Sequence, residues 1–156
     1  MRYKTAFSAA LFVLIFTVVI LAGSPTDKPP KFIKPTQGEI TAPFGNRVHP
    51  VLKIERHHDG IDIKAPLGQP VYASAAGKVV FTGIDGGYGK VIKIEHPGGY
   101  QTVYAHLDKI SVKEEQQVEK GDQIGTVGNT GISAIAQLHY EVRKNGKAID
   151  PLQFIK

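Results

Sequence analysis

Six histidines, fourteen acidic residues and no cysteine bound the chemistry open to this chain of 156 residues. Without a thiol there is no disulfide scaffold, no thiolate zinc site and no cysteine nucleophile. A metal would have to be held by His and carboxylate, and a nucleophile would be Ser, Thr, Lys or activated water. Three segments carry the candidates. In His58-Asp59-Gly60-Ile61-Asp62 a histidine precedes a carboxylate by four residues. On a straight strand those side chains would stand about 13 Å apart, and Gly60 allows a bend that turns both inward. In Leu138-His139-Tyr140-Glu141-Val142, alternation places Gln137, His139, Glu141 and Arg143 on one face and Leu138, Tyr140 and Val142 on the other. In Thr102-Val103-Tyr104-Ala105-His106-Leu107, the same alternation puts Tyr104 and His106 together, opposite Val103 and Ala105. Each histidine alone reads as readily as a solvent-facing side chain. Two histidines and an aspartate together would supply three ligands and leave one position open, the arrangement of a hydrolytic zinc centre.

The elements that must position these groups are strands. Gly77–Gly83, Lys90–Glu95, Gln101–Leu107 and Leu138–Arg143 show period-two patterning, and Asn145-Gly146 is a hairpin-turn signal. No stretch of this region carries a convincing amphipathic helical period, so a mostly β, antiparallel domain is expected. Gly86 and Gly87, beside Tyr88, mark turns or places where another chain must approach closely.

Ahead of the domain, Thr5 to Ala22 carries no charge and follows Arg2 and Lys4. A helix of that length spans about 27 Å, slightly under the hydrocarbon core. Residues 1–22 therefore read as a single hydrophobic helix serving as a membrane anchor or signal segment. The preceding cations place the N-terminus inside and the rest outside. Pro25, Pro29, Pro30 and Pro35 make 23–38 a semi-extended linker, and the domain is expected over 39–156. The net charge of +5 includes Arg2 and Lys4, and no Lys/Arg run suggests a nucleic-acid partner.

The order of motifs in this domain resembles the lysostaphin/LytM-type zinc metallopeptidases, peptidase family M23. The residues that carry the resemblance are Phe44-Gly45-x-Arg47-x-His49-Pro50, His58-x-Gly60-x-Asp62, Tyr88-Gly89, Tyr104-Ala105-His106-Leu107, Gly125-x-Val127-Gly128-x-Thr130-Gly131, Leu138-His139-Tyr140-Glu141-Val142 and Asp150-Pro151. It implies an antiparallel β-sheet/barrel-sandwich hybrid and one Zn2+ held by His58, Asp62 and His139. It also implies a catalytic His106 and hydrolysis of peptide bonds in bacterial peptidoglycan. Arg47, Tyr88 and Tyr104 are the expected substrate contacts, His57 is a neighbour of the site, and His49 shapes a loop at its mouth. His96 is expected at a turn. One departure stands out: the family's HxH motif is Gln137-Leu138-His139 here. Glutamine can donate a hydrogen bond to a developing oxyanion but cannot exchange a proton near neutral pH.

The expected partners are peptidoglycan, the membrane through the N-terminal segment, and protein partners of unspecified kind. The expected location is extracytoplasmic, anchored or secreted to the wall. Two other readings compete. One is a zinc-binding but catalytically degenerate member acting as a scaffold or regulator of wall enzymes, favoured by Gln137. The other is a sugar-transport phosphocarrier domain, which shares a His-x-Gly-Ile-Asp pattern but would work in the cytosol and lacks the flanking motifs.

Overall fold

The computed structural model describes residues 28–49 and 51–155. The apolar segment over 5–22 lies outside them, and no helix among the described residues is long and apolar enough to cross a membrane. The regular elements are β1 (Glu39–Ala42), β2 (Gly45–Val48), β3 (Glu55–His58), β4 (Ile61–Lys64), β5 (Pro70–Tyr72) and β6 (Gly77–Ile84). They continue with β7 (Lys90–His96), β8 (Tyr100–Ile110), β9 (Gln117–Val118), β10 (Gln123–Val127), β11 (Gln137–Lys144) and β12 (Lys147–Ile149). Among the described residues there is no α-helix, only three single-turn 3-10 segments.

The pairings are antiparallel, as the patterning indicated. A 10-stranded sheet runs β1-β4-β11-β8-β7-β6-β9, with β10 joining β5 to β8 and β12 alongside β11. β2 and β3 form a separate two-stranded ribbon. Asn145 and Gly146, both at positive φ, close the β11–β12 hairpin where the sequence signalled it. Alternation along β4, β8 and β11 sends Ile61, Ile63, Tyr104, Leu138, Tyr140 and Val142 into one large core. The opposite face carries Asp62, His139 and Glu141, and a small second cluster of Val91, Val103 and Ala105. The candidate ligands thus stand on the back of a sheet whose front is a fully packed interior.

Two features depart from the sequence expectation. The first is parity in β8. Tyr104 pairs with Ile92 of β7, but Leu107 pairs with Lys90, so β8 carries one residue more than its partner over this stretch. His106 takes a φ of 61° in this bulge. The extra residue switches the alternation: Tyr104 and Leu107 both face the large core, and His106 joins the face of Ala105 and His139. Tyr104 is therefore no substrate contact. It is fully buried, and its hydroxyl bonds to Thr102 Oγ1 and accepts from the Ser74 amide, both at 2.9 Å.

The second departure is where folding begins. Phe32, inside the expected linker, is buried edge-on against the rings of His96, Tyr100 and Phe154. Thr36 is also buried, its hydroxyl donating to the Pro70 carbonyl at 2.9 Å, and the amides of Ile33 and Tyr72 bind the carbonyls of Ser74 and Pro35. Prolines fix an extended backbone, which suits a spacer and also suits a strap laid along a sheet. One aromatic side chain decides between them, and no period reveals it. His96 is likewise not a turn residue: it ends β7, buried, between the Ala76 carbonyl and Thr102 Oγ1 at 2.8 Å each. Truncating a well-packed phenylalanine costs about 3–5 kcal/mol. Phe32→Ala should therefore lower the denaturant midpoint by that equivalent in urea unfolding, whereas substitution in a true linker would leave it unchanged.

Candidate metal centre

The site is assembled from three elements that meet behind the core. β4 and β11 are neighbours, and their register sets Asp62 directly opposite His139. That pairing closes the long sequence gap between them. β3, in the small ribbon, ends at His58, and the chain then turns through Asp59-Gly60 into β4. Gly60 is required there for room: a Cβ would collide with the Tyr140 carbonyl and with Glu141 Cγ. The turn brings His58 Nε2 to 3.1 Å from Asp62 Oδ1, far closer than a straight strand would allow. His139 Nδ1 lies 2.8 Å from the same carboxylate oxygen and 3.1 Å from His58 Nε2.

The other ring nitrogens fix the tautomers. His58 Nδ1 faces the Pro43 carbonyl at 2.8 Å, an acceptor only, so Nδ1 carries the proton and Nε2 the lone pair. His139 Nε2 faces the Glu141 carboxylate at 3.0 Å, which leaves Nδ1 pointing inward. Two imidazole lone pairs and a carboxylate oxygen thus converge, all three residues buried and their ligand atoms within 4.8 Å of one another. Three acceptors so close need a cation between them. Tetrahedral zinc at 2.0–2.2 Å from its ligands separates them by about 3.3 Å, close to the spacing here, so the residues fit a zinc ion.

Without a metal a proton takes that place. Burial alone would lower the His139 imidazole, but its hydrogen bonds to Asp62 and Glu141, and their charges, push it up to about 9. Burial alone would raise Asp62, yet hydrogen bonds from His139 and His58 hold it well below the usual carboxylate range. Glu141 is held at about 2 against burial by His139, Arg143 and Tyr88. It is fully buried, accepting from Tyr88 Oη at 2.6 Å and from Arg143 Nε at 2.7 Å. This outer layer escaped the sequence reading. Its only signal was the polar face on which Glu141 follows His139 by two residues.

The site opens into a cleft of about 660 Å³. His106 lines it, its ring centroid 5.9 Å from that of His139. Its Nδ1 donates to the Thr130 carbonyl at 2.8 Å, so the lone pair is on Nε2. Burial, then the charge of His139, lowers its pKa and keeps the ring neutral. The loop holding Thr130 packs backbone against backbone on the Tyr88 loop, where a Cβ on Gly89 or Gly131 would collide with the facing chain. Gln137 also lines the cleft, half-buried, its backbone N–H donating to the Gly128 carbonyl at 3.1 Å. Tyr88 lines it too, but its hydroxyl is spent on Glu141 and its ring lies 5.6 Å from that of His139. Arg47 reaches Asp62 Oδ2 at 3.2 Å. His57 bonds to Asn46 Oδ1 at 2.8 Å and stays outside the triad. His49 Nδ1 accepts from the amides of Val51 and Leu52, folding the loop at the mouth.

The profile of Peptidase family M23 matches residues 56–151, which span the His58–Asp62 pair, His106 and His139. The chain belongs to peptidase family M23. Among relatives, it is 49 % identical over 113 residues to the DD-carboxypeptidase/endopeptidase Mpg of Neisseria meningitidis, covering 72 % of this chain and 26 % of that protein. It is 39 % identical over 122 residues to the murein hydrolase activator NlpD of Escherichia coli, covering 78 % of this chain and 30 % of the relative. Among solved structures, a zinc-containing peptidase from Vibrio cholerae superposes with a TM-score of 0.72 at 37 % identity, over 77 % of this chain and 39 % of that one. The chain thus spans between a quarter and a third of the length of these two relatives. The M23 likeness bears out the mostly antiparallel fold, and these two relatives, one named as an enzyme and one as an activator, frame the functional question.

The pKa directions give a pH dependence with a definite sign. His139 is raised from 6.5, so its contribution to metal-free stability is complete below 6.5 and lost as pH rises through about 9. Glu141 is depressed from 4.5, so its contribution is complete above 4.5 and lost as pH falls through about 2. Urea midpoints measured with chelator should therefore fall between pH 6.5 and 9. Added zinc, replacing the His139 proton, should remove that fall and release about one proton at pH 7.5 when titrated calorimetrically in buffers of differing ionisation enthalpy.

Proposed function

We propose that this M23 domain is a zinc-dependent endopeptidase that hydrolyses peptide bonds of bacterial peptidoglycan outside the membrane. The observation that carries the reading is the convergence of His58 Nε2, His139 Nδ1 and Asp62 Oδ1 at the floor of a cleft that also contains His106. Zinc held there by His58, Asp62 and His139 would supply a Lewis acid for the scissile carbonyl and lower the pKa of a water. The remaining work falls to the chain. His106, neutral and with its lone pair on Nε2, accepts the proton of the attacking water and returns it to the leaving amine as the C–N bond breaks. Its left-handed backbone and the Thr130 carbonyl fix the ring. Gln137 serves as a hydrogen-bond donor to the oxygen that gains charge, a role that needs no proton exchange. Glu141, gripped by Tyr88 and Arg143, orients the His139 ring. Apolar Val48, Val51, Ile132 and Ile135 line the cleft and limit water around the peptide.

The substrate reading draws support from the murein hydrolase activator among the relatives and from the apolar segment over 5–22, which would put the domain on the outer side of a membrane, anchored or secreted. A second reading has its own observation: Gln137 stands where the motif of this family calls for a histidine. It makes the domain a zinc-binding regulator of wall enzymes. Incubating the full zinc-loaded chain with peptidoglycan and sequencing the released fragments separates the two. The endopeptidase reading expects new peptide termini that vanish with chelator and in His139→Ala, and a loss of about 10²-fold or more in His106→Ala. Intact peptidoglycan beside one bound zinc per chain would select the regulator, and Gln137→His would then be expected to restore cutting.

A further inference from the structure

Arg47 was expected to contact substrate, yet its guanidinium is committed elsewhere. The Asp62 carboxylate divides its two oxygens. Oδ1 faces both candidate histidines, at 3.1 Å from His58 Nε2 and 2.8 Å from His139 Nδ1. Oδ2 accepts from Arg47 Nη2 at 3.2 Å. Asp62 is buried and Arg47 only a quarter exposed, so water competes weakly for that oxygen. Arg47 comes from β2, across the ribbon from Arg56, and the same ribbon ends in His58. The ribbon that supplies one ligand therefore also supplies the clamp on another, which stands in the main sheet.

We propose that Arg47 is a positioning residue that keeps Asp62 a one-oxygen ligand and so holds the metal at four-coordination, with one position left for a water. The proposal rests on the metal-centre reading above. A carboxylate beside a divalent ion can bind through one oxygen or both, and zinc accepts four or five ligands. With Oδ2 held by a guanidinium, chelation by both oxygens would require breaking a charge-assisted hydrogen bond inside a mostly buried site. Arg47 also withdraws charge from the carboxylate, which leaves more positive charge on the ion. Without it, Oδ2 would be free to join Oδ1 on the metal beside the water, which would raise the coordination number from four to five.

Cobalt(II) alone is the probe, because its visible absorption is strong in four-coordinate sites and weak in five- or six-coordinate ones. The full chain, stripped and reloaded with one equivalent of cobalt(II), should give the intense four-coordinate band. Arg47→Met, which keeps the aliphatic stem, and Arg47→Ala should weaken it at least about two-fold at equal metal loading. Arg47→Lys, which retains a cationic donor, should restore most of it. Metal affinity should change by about 10–100-fold in the first two variants. Melting curves identify which variants are folded, and a folded Arg47→Met or Arg47→Ala with the parent band overturns the proposal. A wild-type chain that takes up no cobalt overturns the metal-centre reading itself, and the role of Arg47 with it. Where hydrolysis is measurable, kcat should fall with KM unchanged; a rise in KM alone would assign Arg47 to substrate.

Discussion

Three lone pairs that converge on one buried point, and so need a metal ion or a proton among them, are the constraint around which the rest of this molecule is arranged. His58 Nε2, His139 Nδ1 and Asp62 Oδ1 sit within hydrogen-bonding distance of one another in a buried space. Such a cluster is tolerable only when a positive charge is present. Much of the surrounding structure serves to keep the lone pairs facing inward. The Pro43 carbonyl and the Glu141 carboxylate accept from the outer N–H groups of the two rings, and Arg47 donates to the outer oxygen. Tyr88 and Arg143 then keep Glu141 charged at zero exposure. Each layer has its groups satisfied by the next, which is the condition for holding charge inside a protein.

The fold makes this possible by giving one sheet two different faces. Strands β4, β8 and β11 spend half of their side chains on a large aliphatic and tyrosine core. That core supplies the rigidity, and the other half of the side chains is free for chemistry. The arrangement also explains why the His58–Asp62 spacing works although four residues along a strand would separate the two groups. They do not share a strand: the chain leaves the ribbon at β3, turns where Gly60 passes the β11 backbone, and re-enters in the main sheet.

Much of this was legible in the sequence. Alternation located β6, β7, β8 and β11, the Asn145-Gly146 pair located a hairpin, and the histidines and aspartate that converge were those whose spacing and motif context drew attention. What stayed hidden had physical reasons. A single surplus residue in β8 leaves no mark in composition, so Tyr104 and His106 were assigned to one face when they occupy two. A proline-rich strap reads as a spacer because one phenylalanine cannot establish a period, although Phe32 anchors it in the core. Glu141 looked like any polar strand residue, because its partner Tyr88, far away in sequence, is brought to it only by the tertiary fold. Arg47 was expected to contact substrate, and its ion pair went unseen because Asp62 lies on another sheet.

The bulge at His106 also bears on how the domain tolerates changes in chain length. Most surface loops absorb a one-residue insertion or deletion at small cost. In β8 the same event is a shift of phase. Losing one residue between Tyr104 and Leu107 would restore strict alternation, and one of two things then follows. Either the imidazole takes the place of Ala105 beside Val91 and Val103, or it is lost from the cleft, while Leu107 stays in the aliphatic interior in both cases. The strand therefore carries two reading frames joined at one left-handed residue, one frame for packing and one for chemistry. Natural or engineered length variation at that junction would separate stability from function more cleanly than any single side-chain exchange nearby.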